Sequence, residues 1–166
     1  VETPLLFMSY YNILFKRGVA RFTEQMKAAG MRGAIVPDLP HEEGQDYLDA
    51  MKAQGLDPIF LYSPNTSDTR MAEIAQRASG LVYCIARKGV TGSKTDFDAG
   101  FDAYIARARA ATSLPLALGF GVSDAKDVDF LRGKVDIAVV GSQTIRVIDA
   151  QGIEGVAPFI AGLRGS

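Results

Sequence analysis

Cysteine and histidine each occur once in this chain, at Cys84 and His41. A single thiol excludes an internal disulfide framework and a cysteine-rich metal site, and one imidazole cannot build a zinc site alone. Surplus charge is also lacking. With 18 Lys and Arg against 19 Asp and Glu, and no basic block, nothing is suited to a nucleic-acid backbone, and no run of one sign suggests a disordered tail. The longest apolar stretches are strand-sized, so none reads as a membrane-spanning helix, and no signal-peptide pattern is present. These absences imply a reducing, cytoplasmic location and a small-molecule task. The chain opens at Val1 rather than methionine, which we read as a piece of a longer protein.

What the chain does contain is alternation. Six apolar runs recur: PLLFMSY, GAIVPD, PIFLYS, LVYCIA, PLALGFG and VDIAVVG. They are continuously apolar, as strands buried on both faces are. Pro4, Pro58 and Pro115 stand first in theirs, where a missing N–H costs least. Between the runs the period becomes helical. Val19, Phe22, Met26 and Ala29 form one stripe; Met71, Ile74, Ala75 and Ala78 a second; Phe97, Phe101, Tyr104, Ile105 and Ala108 a third; Ile153, Val156, Ile160 and Leu163 the last. Gly30, Gly55 and Gly80 follow as expected left-handed helix ends. Strict alternation over 166 residues predicts a single domain with a parallel sheet, either open and doubly wound or closed as a (β/α)8 barrel. The first strand-helix turn, SYYNILFKRG, has no G-x-G-x-x-G pattern, which favours the barrel, although six units are two short of eight.

In both architectures ligands bind at the carboxyl ends of strands. Two such ends, GFGVSDA and GSQTI, carry glycines ahead of a helix, where backbone N–H groups and the helix terminus favour an anion. Gly121, Gly141 and Ser142 are therefore candidate phosphate ligands; the alternative is that the glycines simply allow tight turns. The long RKGVTGSKTDF segment, with Arg87 and Thr91 and with Gly89 and Gly92 as hinges, reads either as a lid or as a solvated loop. Tyr10 and Tyr83 offer aromatic walls or core filling. Asp38, in VPDLP, is either a base or a residue that caps a helix or supports the site from behind, His41 a surface residue of a first turn, and Cys84 a small core side chain. Paired carboxylates for proton transfer are missing from the strand ends.

The succession LLFMSYYNILFKRG, GAIVPDLPHEE, PIFLYSPNTSD, YCIARKGVTGSK, LGFGVSD and VVGSQTI closely resembles the tryptophan synthase alpha chain family, over essentially the whole chain. The resemblance implies a (β/α)8 TIM barrel of which strands 3–8 and their helices are present here. It also implies a lyase that splits indole-3-glycerol phosphate into indole and glyceraldehyde 3-phosphate. The expected partner is a beta chain in an alpha2beta2 complex, which holds pyridoxal phosphate and makes tryptophan; no cofactor is expected in this chain. By motif, Gly92, Gly121, Gly141 and Ser142 would hold the phosphate, and Met8, Tyr10, Tyr83 and Phe120 would line the indole and glycerol pocket. Arg87 and Thr91 would belong to the lid, and Asn12, Pro64 and Asn65 would lie toward the beta chain. Pro37 departs from relatives that have a small residue before the aspartate.

The larger departure is at the front. The family's glutamate and aspartate for proton transfer lie on the second strand and the loop after it, and this sequence starts at what resembles the third. No catalytic residue is assigned within the chain, which alone is expected to be inactive. A barrel short of two strands would expose two sheet edges, available for pairing between copies. Rival readings are a noncatalytic module that binds the phosphate ligand or the beta chain, and another phosphate-binding barrel enzyme.

Overall fold

A computed structural model describes residues 3–85, 100–119 and 121–164. Arg87, Thr91, Gly92 and Phe120 lie outside the described residues, as does the Phe97 position of the third stripe. The chain gathers into two compact units. One comprises residues 1–61, 67–82 and 111–114, and the other residues 62–66, 83–110 and 115–166.

In the first unit, β1 (Leu5–Met8), β2 (Met31–Ile35) and β3 (Asp57–Ile59) form a sheet in that order. Both pairings are parallel, with Phe7 opposite Ala34 and Ile35 opposite Ile59. The helices α1 (Tyr11–Arg17), α2 (Val19–Ala28), α3 (Gln45–Gln54) and α4 (Asp68–Arg77) intervene. Phe22 and Met26 of the first predicted stripe are buried with Leu14, Ala34, Val36, Leu39, Tyr47, Met51 and Leu56 in one core, and Phe7 and Phe22 meet edge to face at 5.3 Å. Burying a side chain of this size stabilises by roughly 1.5–3 kcal/mol, which is why the apolar stripe fixes the helix face. Gly30 and Gly55 take positive φ at the ends of α2 and α3, as expected, whereas Gly80, also at positive φ, stands three residues past α4, which has already ended in an extended Ala78. At Gly55 its own N–H reaches the Lys52 carbonyl and the Leu56 N–H reaches that of Met51, which closes the last turn of α3.

The second sheet runs β4 (Leu61–Tyr62), β5 (Val82–Ile85), β6 (Leu116–Gly119) and β7 (Ile137–Ala138). In the second unit α5 (Gly100–Ala111) buries Phe101, Tyr104, Ile105 and Ala108, the described part of the third stripe. It is followed by α6 (Ala125–Leu131), α7 (Ser142–Gln151) and α8 (Val156–Arg164).

Three further expectations are corrected. PIFLYS is two strands, not one: Phe60 interrupts it, and the halves belong to different sheets. A continuous apolar run reports burial but not which neighbour each half pairs with. Pro58 is the second residue of its strand, opposite Ala34, and Pro4 and Pro115 precede theirs. The final stripe does not form one face, because Ile153 sits in a separate 3-10 turn (Ile153–Gly155) and is 73% exposed, while Leu163 is buried. The change of turn geometry at Val156 breaks the period on which that stripe rests.

Candidate functional site

The ends of β6 and β7 carry the glycines singled out above. These strands pair in parallel, Ala117 opposite Ile137 and Leu118 opposite Ala138, and the Val139 N–H continues the ladder to the Leu118 carbonyl at 2.8 Å. Both strands therefore leave the sheet at the same edge and in the same direction, Gly121 two residues beyond the end of β6 and Gly141 three beyond the end of β7. Gly121 has φ +94°, a conformation that side chains with a Cβ rarely adopt.

The helices that follow these turns differ in charge. Asp124 caps α6, its carboxylate accepting from the Lys126 and Asp127 N–H groups at 2.9 and 3.1 Å. Asp127 reaches back to accept from the Asp124 N–H and from both the N–H and the hydroxyl of Ser123. That capping box fills the positive end of α6 with two carboxylates. The next helix, α7, begins from Gly141 with no side-chain cap and no acidic residue in its first turn. A Cβ built on Gly141 meets no atom within 4 Å. Packing among the described residues therefore does not demand glycine at position 141, and a Cβ there would enter open space. An uncapped helix start with an open approach can accept an anion.

Tyr83, on β5, is 8% exposed. Its hydroxyl lies against the backbone of the neighbouring strand, where a Cβ on Gly119 would be 1.8 Å from the phenolic oxygen and 2.1 Å from Cζ. Burial pushes the Tyr83 hydroxyl up from its ordinary range, so it stays protonated. Behind it, burial pushes the Cys84 thiol up to about 11, which leaves it an inert core side chain, as expected.

The first unit holds Met8 and Tyr10, 52% and 65% exposed, at the carboxyl end of β1 and beyond it. Asp38 is exposed, and its Oδ1 accepts from the Tyr11 N–H at 2.8 Å. Of its two readings, base or cap, the contact made is the capping one. Asn12 lies in the first turn of α1. In the second unit Pro64 and Asn65 occupy a turn closed by the Thr66 N–H to the Ser63 carbonyl at 3.0 Å.

His41 is a correction. The expected surface histidine is 4% exposed, with its Nε2 3.4 Å from Glu42 and 3.7 Å from Glu73, and Arg77 donates to its carbonyl. Arg70 grips the Glu42 carboxylate and holds it below the usual range. A histidine between Pro40 and two glutamates gives no apolar signal by which its burial could be read. Sequence reasoning also missed Arg107, which donates to the carbonyls of Pro64 and Thr66 and fixes that turn. It missed Asp57 too, which accepts from Arg32 Nε at 3.0 Å and from the Ser79 hydroxyl at 2.8 Å. Neither residue repeats with a period. Among the described residues no cluster of His, Cys, Asp and Glu could hold a metal, and no helix is long and apolar enough to cross a membrane.

Parallel strands alternating with helices, with an uncapped helix start after one of two neighbouring strand ends, define the class: an α/β protein of the (β/α)8 kind. Residues 1–158 match the family described as tryptophan synthase alpha chain, and the chain belongs to that family. It is 57% identical over 163 residues to the tryptophan synthase alpha chain of Syntrophotalea carbinolica, and 57% identical over 162 residues to that of Desulforapulum autotrophicum. In each case 98% of this chain is covered and 64% of the relative, so the chain spans about 64% of the length of these relatives. Among solved structures it is similar to the tryptophan synthase a2b2 complex of Pyrococcus furiosus. There the TM-score is 0.90 at 30% identity, covering all of this chain and 68% of that one.

Proposed function

We propose that this chain supplies the phosphate grip and part of the indole pocket of a lyase that cleaves indole-3-glycerol phosphate into indole and glyceraldehyde 3-phosphate. The observation that carries this reading is the uncapped start of α7 at Gly141, on the strand next to the left-handed Gly121 turn. Backbone N–H groups there, with the Ser142 hydroxyl, would hold the phosphate dianion, and Gly92 would add to the grip as the family motif implies. Met8, Tyr10, Tyr83 and Phe120 would take the indole and glycerol, with Arg87 and Thr91 in the covering loop.

Cleavage breaks the bond between the indole ring carbon and the glycerol chain. A proton is delivered to that ring carbon, another is removed from the glycerol hydroxyl as it becomes the aldehyde, and charge develops on the indole N–H. Two carboxylates in different protonation states suit these tasks, each worth about 10²–10⁴-fold. No motif position in the 166 residues supplies that pair, and Asp38 is already engaged at a helix terminus. The grip therefore orients the substrate by its phosphate, and the proton-transfer groups come from the strand and loop that the family places before Met8. A cytoplasmic alpha2beta2 assembly follows from the same reading, in which a beta chain carrying pyridoxal phosphate receives the indole.

Two measurements test this. Inorganic phosphate should bind the unmodified chain, and Gly141→Asp, which places the protein's own carboxylate over α7, should abolish that binding while leaving the chain folded. Indole release from indole-3-glycerol phosphate should be near zero for the chain alone and appear when the missing strand-helix units are added in trans. Equal phosphate affinity in Gly141→Asp defeats the grip. Persistent inactivity after complementation, with activation of a beta chain, favours a noncatalytic binding module.

A further inference from the structure

We propose that Asp38 is a positioning residue that fixes Tyr10, and that it does so by capping α1 from a distant loop rather than by exchanging protons. The inference rests on the reading above for its ligand, but its geometry stands apart from that reading. Helix α1 begins without help from its own sequence: Tyr10 at the N-cap makes no side-chain cap bond, and the first turn has no acidic residue. The missing acceptor comes from 27 residues away, where Asp38 Oδ1 takes the Tyr11 N–H at 2.8 Å. A carboxylate at this end also opposes the helix dipole.

Three anchors bracket Tyr10. On one side the Ser9 N–H donates to the Ile35 carbonyl at 3.2 Å, extending the β1–β2 ladder. On the other, Asp38 holds the Tyr11 N–H, and the Tyr11 hydroxyl donates to Asp46 Oδ2 at 3.0 Å at the start of α3. Apart from the Ile13 N–H, which donates to the Tyr10 carbonyl at 3.1 Å within α1 itself, these anchors belong to β2 and the segment that follows it. Tyr10 itself is 65% exposed, so packing does little to hold its ring, and the backbone anchors must do so. Asp38→Ala removes one anchor and should leave the ring less ordered and a poorer surface for a flat ligand.

The probes are free indole and inorganic phosphate, titrated separately against the full chain. Asp38→Ala should weaken indole binding about five- to tenfold, the usual scale of a lost cap, and leave phosphate affinity unchanged. Asp38→Asn, whose side-chain oxygen still accepts, should recover most of the loss. Tyr11→Pro deletes the same donor from the other side. Proline is tolerated at the first helical position, and the extended Tyr10 backbone (φ −81°, ψ 149°) suits a residue before proline. With Tyr11→Phe as the side-chain control, adding Asp38→Ala to Tyr11→Pro should cost nothing further. Indole affinity unchanged in Asp38→Ala overturns the proposal, and so does an equal loss for both probes, which marks general destabilisation. Hydrogen exchange at the Tyr11 amide reads the anchor without any ligand. An unmodified chain that binds neither probe counts against the lyase reading, whereas a Tyr11 amide equally protected in Asp38→Ala defeats the anchor itself.

Discussion

Replacing Gly119 by alanine inserts one methyl group where the structure has an aromatic ring. The new Cβ would lie 1.8 Å from the Tyr83 hydroxyl oxygen, 2.1 Å from Cζ and 2.4 Å from Cε1. Carbon atoms in contact sit about 3.5–4.0 Å apart, so the ring must retreat by roughly 1.5 Å. Tyr83 is buried on β5, so the ring can retreat only by displacing what it packs against. Backbone strain adds nothing, since Gly119 is not among the positive-φ glycines. Overpacking of this kind costs about 1–3 kcal/mol, and a collision with ring atoms rather than a flexible tip puts Gly119→Ala near the top of that range, about 3. Tyr83→Ala removes the obstacle at a cost of its own, also about 3 kcal/mol. Because the cavity and the methyl group occupy the same space, the double variant should cost about 4 rather than about 6, a coupling of about 2 kcal/mol. Tyr83→Phe supplies the control: it deletes the oxygen but keeps Cζ and Cε1, and so should not relieve Gly119→Ala. Urea unfolding of the four chains measures the cycle. Additivity within about 0.5 kcal/mol, or full relief by Tyr83→Phe, refutes the steric account.

The remaining predictions concern other parts of the fold. Gly33→Ala should destabilise by about 3 kcal/mol in the same assay, because its Cβ would come 2.4 Å from the Asp57 backbone oxygen, an atom held by the β2–β3 pairing. Asp136 should make part of the acid sensitivity. Burial raises its pKa, but the Leu116 N–H at 2.7 Å and the Arg109 guanidinium outweigh burial and hold it below the usual carboxylate value. A folded value below the unfolded one gives stability that is complete above the unfolded pKa and is lost as pH falls through the folded one. Asp136→Asn should therefore lose less stability than the unmodified chain between about pH 5 and about pH 3, and parallel profiles would contradict this. Cys84, with its thiol pushed up to about 11 and no exposure, should react with a thiol reagent at neutral pH only when the chain unfolds; fast labelling of the folded chain would show the burial to be wrong.

Much of the fold was legible because burial leaves a periodic trace. Phe22, Met26, Met71, Ile74, Tyr104 and Ile105 are inside as their spacing implies, and Gly30 and Gly55 mark the ends of α2 and α3. What was not legible came from contacts between segments far apart in sequence. Nothing in YYNILFKR announces a helix start, since its cap is Asp38. Nothing in DPIFLYS shows where one sheet takes over from the other. Asp57 looks like an ordinary turn aspartate until Arg32 and Ser79 are seen to converge on it, with Gly33 and Gly80 leaving room for its atoms. His41 is buried through a turn whose composition reads as solvated.

The two glycine-bearing strand ends show how a functional reading can be sharpened. As sequence, GFGVSDA and GSQTI make the same case: glycine at the close of a strand, then a helix. The distinction is whether the protein fills the helix terminus itself. After β6 it does, and the reciprocal bonds between Asp124 and Asp127 leave that terminus facing two negative charges, which would repel a phosphate. After β7 it does not. The start of α7 has neither a side-chain cap nor an acid in its first turn, although any of Ser, Thr, Asp or Asn in place of Gly141 would stabilise an isolated helix at least as well. Glycine at that position has no steric cause, since its Cβ would enter open space. A helix start that forgoes its own cap, beside a turn whose left-handed glycine frees the neighbouring backbone, makes sense if an external anion completes it. On the proposed reading the two loops would divide the work: the Gly121 turn would give shape while its helix is closed to anions, and the Gly141 turn would give the charge.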